Sequence, residues 1–192
     1  MSGTHTRMRL MSSSTASRTV RLMPYATVAD GSVQSLEVQV ECTAGALNLR
    51  YSLNADLSCL KVPALKSMRR ADELWKHTCF EAFLRATTGT GYCEVNVAPS
   101  TEWAMYSFDD YRQGMKPTNV PQPPAITVDR SAHRLTVDVR LDLKVLPPSR
   151  ALALTAVLEH DGGSLSYWSL QHPAAKPDFH HPDGFVFQIQ GL

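Results

Sequence analysis

The chain has 192 residues, 43% of them hydrophobic, with nineteen basic and eighteen acidic side chains and a formal charge of +1. That composition excludes a chain disordered throughout, and the even charge balance excludes a strong general attraction to nucleic acid or to an anionic membrane surface. No stretch reaches the roughly 18 consecutive apolar residues of a membrane span.

Residues 1–19 are rich in Ser, Thr, Arg and Met and lack the apolar run of a secretory signal. They predict a tail with too little apolar surface to offset its ordering entropy, and a cytoplasmic address. Residues 20–192 are long enough for one domain with a sizeable core. Val33 to Cys42 alternates through Leu36, Val38 and Val40, and Ala46 to Asn54 through Leu47, Leu49, Tyr51 and Leu53. Side chains of a strand alternate faces with a period of two, so both read as half-buried strands, with Gly45 at the turn between them. The polar stretch from Ala55 to Glu73 reads as a crossing from one sheet to another.

Phe80, Ala82 and Leu84 then alternate with polar neighbours, as do Cys93, Val95 and Val97. If both apolar sets share one face, the hairpin opposes Ala82 to Cys93 and Glu81 to Glu94, with Asn96 opposite Cys79. Like charges directly opposite are destabilising, so two carboxylates side by side on a water-facing sheet surface ask for a ligand, a cation, or a neutralising arginine such as Arg112 or Arg85. Trp103 to Phe108 is a further strand. Residues 109–124, with Gly114 and four prolines, form a long loop of the kind that often carries function. Hairpins follow around 130–133 and around Asp161-Gly162-Gly163. The polar loop His172 to Asp183 precedes a last strand, Phe185 to Ile189. Short strands separated by turns, with almost no helical periodicity, predict an all-β fold: an antiparallel β-sandwich, jelly-roll or immunoglobulin-like, of about ten strands. A closed barrel is the alternative.

The four cysteines, Cys42, Cys59, Cys79 and Cys93, show no CxxC spacing, which argues against a thiolate zinc site and for a reducing compartment. No HxH, HExxH or GxSxG motif is present. No catalytic residue, metal or cofactor is therefore expected.

Three stretches together carry a family likeness: residues 70–84, RADELWKHTCFEAFL; residues 92–112, from Tyr92-Cys93-Glu94-Val95-Asn96-Val97 through Trp103 to Asp109-Asp110-Tyr111-Arg112; and residues 172–183, HPAAKPDFHHPD. The chain resembles the bacterial DOMON-like proteins, a group related to family 9 carbohydrate-binding modules. The resemblance implies a β-sandwich whose relatives bind sugars or haem on one sheet, and Trp75 followed by Glu81 is similar to the tryptophan-then-acidic-strand pattern of the sugar binders.

A sugar site needs an aromatic platform and a few polar groups. The expected set is Trp75 and Trp103 as stacking residues, with Glu81, Glu94, Asn96 and Arg112 as hydrogen-bonding residues and Lys176 and Asp178 reaching in from the 172–183 loop. The partner expected is a small polyhydroxylated ligand, with no nucleic acid and no membrane. The alternative is a protein-interaction or structural domain whose acidic pair is compensated internally.

Overall fold

In the computed structural model, residues 17–27, 31–43 and 45–189 are described. The tail expected over residues 1–19 lies mostly outside them. Twelve strands follow in chain order: β1 (Arg18–Pro24), β2 (Val33–Thr43), β3 (Ala46–Ala55), β4 (Cys79–Ala86), β5 (Tyr92–Val97), β6 (Trp103–Phe108), β7 (Lys116–Pro117), β8 (Ala125–Arg130), β9 (Arg134–Asp142), β10 (Ser149–Glu159), β11 (Leu165–Ser169) and β12 (Phe187–Gln188). They form one antiparallel hydrogen-bonded path, β7-β6-β5-β4-β10-β11-β1-β2-β3-β9-β8, with β12 extending the β11 side of β10. The all-β, antiparallel character is as the alternation implies. The strands belong to a single curled sheet, with β1 pairing both β2 and β11.

The β2–β3 turn follows from Gly45, whose φ of 129° lies in a region that L side chains rarely adopt. The curl brings the β1-β2-β3-β9-β8 half and the β6-β5-β4-β10-β11 half onto one shared apolar cluster. Leu36, Leu49, Leu53 and Val137 from the first half join Phe80, Leu84, Val95 and Leu154 from the second. Tyr51 of β3 ties the halves together: its ring lies 5.1 Å from that of Phe80, and its hydroxyl donates to the Glu81 carbonyl at 2.8 Å. Burying such side chains is the main stabilising term of the fold.

The second half is buried on its other face as well. Cys79, Phe83, Tyr92, Ala104, Tyr106, Phe108 and Ala153 point away from the shared core into a second cluster, closed by Leu74 and Phe185. Every residue of β5 is consequently buried. Here the structure corrects the sequence expectation of a water-facing polar surface: the segments around 74–76, 109–118 and 170–186 fold over it.

Candidate functional site

The β4–β5 register differs from the expected one by two residues. Glu81 is opposite Asn96, Phe83 opposite Glu94, and Leu84 opposite Cys93. A two-residue shift leaves every side chain on its face, so alternation alone cannot detect it. Register is set by the connection, which runs over residues 86–91 with Gly89 at φ 74° in place of a tight turn. Glu81 and Glu94 are therefore diagonal neighbours on one face, and Asn96 opposes Glu81 instead of Cys79. Cys79 and Cys93 point to opposite faces and all four cysteines are free.

This face forms the floor of a cleft of about 450 Å³, within the range of small-molecule sites. Glu81 and Glu94 lie at the bottom. Trp75, Phe108, Met115, Val157, Leu165, Tyr167 and Phe179 wall it, and Lys76, Arg112, Pro177 and His180 complete it. The two acids are only 2% and 4% exposed. Glu81 Oε2 accepts from Thr155 Oγ1 at 3.1 Å, while Glu81 Oε1 is buried with no hydrogen-bond partner among the described residues. Glu94 Oε1 accepts from Asn96 Nδ2 at 2.6 Å, and Glu94 Oε2 lies 4.0 Å from His180 Nε2. Asn96, fully buried on the same face, orients Glu94 from two residues along β5, and its Oδ1 meets Cys79 Sγ at 3.9 Å.

Burial dominates the electrostatics. Desolvation, and then the charge of Glu94, push the Glu81 carboxyl well above the usual carboxylate range. Desolvation pushes Glu94 up to about 7, against the opposing pull of the Asn96 hydrogen bond and the Arg112 charge. His180 is lowered to about 4 by burial and by Arg112, so at neutral pH its imidazole is uncharged. The floor thus holds two carboxyls that burial biases toward their protonated forms, with Glu94 near its titration point.

The 172–183 loop is the lid. Asp178 anchors it: its carboxylate accepts from the Tyr111 hydroxyl, from Arg112 Nη2 at 2.8 Å and from the His180 N–H at 3.2 Å. Burial pushes the Asp178 carboxyl up, but these partners more than offset it and the pKa is lowered. His180 packs edge-on to Phe83 and Phe108, and its Nδ1 lies 2.8 Å from the Tyr92 hydroxyl, which also accepts from the Arg112 N–H. Phe179 packs on Tyr167. The 109–124 loop meets the lid through Tyr111 and Arg112. It bends at Gly114, φ 66°, where an added Cβ would run into the Asp109 side chain.

Of the residues singled out from sequence, Trp75, Glu81, Glu94 and Arg112 line the cleft, and Asn96, on the same face and opposite Glu81, is hydrogen-bonded to Glu94 outside the lining. Trp75 meets Tyr106 edge-on at 5.7 Å, and Tyr106 in turn donates to Asp72. Trp103 does not belong to the cleft: β6 turns it, with Met105, into the shared core, because it is opposite Val97, a core residue. Trp168 is likewise in the core, its indole N–H donating to Ser166. Lys176 is exposed and outside the lining. Asp178 is buried and braces the lid from behind. Among the described residues no arginine forms an ion pair with either acid: the Arg112 guanidinium pairs with Asp178 and acts on Glu94 only through its charge, and Arg85 lies over Phe185. The residues missed are His180, Phe179, Tyr167, Phe108 and Met115. Tyr167 and Phe108 had a usable signal, since each lies on the same face as Glu81 once the strands are paired. Phe179 and His180 sit in a loop without periodicity.

Among the described residues, no group of three or more His, Cys, Asp or Glu side chains is arranged to hold a metal ion. No helix among those residues is long and apolar enough to cross a membrane. No family model and no curated protein sequence matches the chain. The fold does have a counterpart among solved structures. The crystal structure of a "putative carbohydrate-binding protein" from Bacteroides uniformis superposes with a TM-score of 0.61 over 88% of this chain and 84% of that one, at 11% sequence identity. At that identity the similarity is one of fold: this chain shares the β architecture of the Bacteroides protein.

Proposed function

We propose that the chain is a non-catalytic binding module for a small polyhydroxylated, carbohydrate-like ligand held in the Glu81–Glu94 cleft, and that its curled sheet is a DOMON-like β-sandwich. The observation that carries this reading is Glu81 Oε1, a buried carboxyl oxygen at the cleft floor without a hydrogen-bond partner among the described residues. Leaving such an atom unpaired costs about 1–3 kcal/mol, a cost that a ligand hydroxyl removes. The walls supply the other half of a sugar site, since aromatic faces cover the apolar face of a pyranose while a few fixed polar groups read its hydroxyls. Trp75 is the stacking residue in this reading. Glu81, Glu94 and Arg112 are the hydrogen-bonding residues, and Asn96 positions Glu94. The fold similarity to the Bacteroides protein named as carbohydrate-binding points the same way.

Calorimetric titration of the folded protein against a panel of neutral and amino monosaccharides and disaccharides tests it. Binding to at least one member is expected, weakened at least about tenfold (about 1.4 kcal/mol) by Trp75→Ala. Uniform silence across the panel would overturn the reading.

A further inference from the structure

The cleft floor is acidic, yet among the described residues no cationic side chain forms an ion pair with either of its carboxyls. The two cations in the lining make their ion pairs with other acids: Lys76 Nζ binds Glu73 at 2.6 Å and Arg112 Nη2 binds Asp178 at 2.8 Å, leaving Arg112 to act on Glu94 only through its charge. Around the acid pair the remaining groups are neutral donors or thiols: Thr155 from β10, Asn96 from β5, Cys79 from β4 and His180 from the lid. Tyr92 and Tyr106 flank the floor, and their hydroxyls are pushed up by burial, so they stay protonated. The cysteine beside Asn96 is pushed well up for the same reason. Two buried carboxyls without a cation are a costly arrangement in a protein interior, because the charged form loses its hydration and gains no partner.

We propose that the ligand brings the missing positive charge: a protonated amine that sits on the Glu81–Glu94 floor, which makes the preferred ligand an amino sugar rather than a neutral one. This rests on the sugar reading above and specifies its chemical class. A metal ion fits less well, because the floor offers two carboxyls and an amide and His180 stands 4.0 Å off, whereas hard cations take six or more oxygen ligands. An ammonium needs fewer, and the surrounding Trp75, Phe108, Tyr167 and Phe179 rings add the attraction of aromatic faces for a cation. On binding, the ammonium N–H groups take the place of the proton held by the acid pair, and that proton leaves to solvent.

The test uses the full chain and five probes: the sugars glucose, N-acetylglucosamine, glucosamine and 6-amino-6-deoxyglucose, and cyclohexylamine as an amine without hydroxyls. At pH 7 the two sugar amines are expected to bind at least about tenfold tighter than glucose. Titration of 6-amino-6-deoxyglucose in buffers of different ionisation enthalpy is expected to show net proton release, and its affinity to rise from pH 5.5 to 8. Glu94→Gln and Glu81→Gln are each expected to cut the amine-over-glucose preference severalfold. If a variant does not fold, proton release by the unaltered protein decides. Glucose or N-acetylglucosamine binding as tightly as the amines, or proton uptake with the amine, would overturn the inference and leave the sugar reading standing. Binding of cyclohexylamine alongside silence from all four sugars would overturn the sugar reading and keep the ammonium site. Silence from every probe, amine and sugar alike, would overturn both.

Discussion

Two regions of the molecule bury a carboxylate, and they solve the problem in opposite ways. Glu102, at the turn before β6, is 5% exposed and is met by Lys66 Nζ at 2.8 Å, Arg69 Nη2 at 2.6 Å and Ser100 Oγ at 2.9 Å. Its pKa is lowered to about 2, with the Lys66 hydrogen bond as the main cause. Glu94 is as little exposed but lies deeper in the molecule, and has an amide for a partner and an uncharged imidazole at 4.0 Å. Its pKa is raised to about 7. Burial alone therefore says nothing about the sign of a carboxylate's contribution. A carboxylate tied down by cations is structural. One left half-satisfied at the floor of a cleft is poised for something the protein does not itself contain.

The largest effect that separates the two is expected at Glu94. A carboxyl whose folded pKa exceeds its unfolded value contributes most below the unfolded value, 4.5, and loses that contribution as pH rises through about 7. Glu94→Gln keeps the Asn96 hydrogen bond and removes the ionisation. Urea unfolding at pH 8 is expected to show the variant more stable by roughly 3 kcal/mol, with the gain fading by pH 4.5. An equal or lower stability at pH 8 would mean that the floor is better solvated than its geometry indicates.

Glu102→Gln is expected to act with the opposite sign and a smaller size. Its stabilisation is present above 4.5 and is lost as pH falls toward about 2. Because Lys66 and Arg69 are 51% and 64% exposed, solvent screens the network, and the loss at pH 7 is expected to be about 1–2 kcal/mol. The same measurement in 1 M salt is expected to shrink it, whereas the Glu94 effect should hardly change. Equal salt sensitivity at both sites would erase the contrast between them.

Much of this was legible in the sequence because a β-sheet writes its faces into a period of two. The strand runs from Val33 onward, the turns at Gly45 and Asp161-Gly162-Gly163, and the placement of Glu81 and Glu94 on one face all follow from alternation. Three things do not. The bounds of β1 do not follow from alternation, because its Val20-Arg21-Leu22-Met23 run is short and follows directly on polar residues. The β4–β5 register escaped because a shift of two conserves every face. The burial of the acid pair escaped because the cover comes from loops, whose path is set by tertiary contacts such as Asp178 with Tyr111 and Arg112. Trp103 shows the same limit in reverse: its closeness in sequence to the hairpin suggests the rim, while its pairing with Val97 turns it inward.

The smallest expected effect concerns that cover. Tyr111→Phe removes one hydrogen bond to Asp178 and leaves Arg112 and the His180 N–H in place. The expected cost is about 1 kcal/mol, felt by the lid more than by the sheet, because the sheet's core contacts do not pass through Asp178. Hydrogen exchange is the fitting measurement: the His180 amide is expected to exchange roughly fivefold faster, while the Glu94 and Asn96 amides in β5 keep their protection. If β5 loosened in step with His180, the lid and the floor would be one cooperative unit. The acid pair would then be sealed by the fold as Glu102 is, instead of being covered by a loop that can open to admit a ligand.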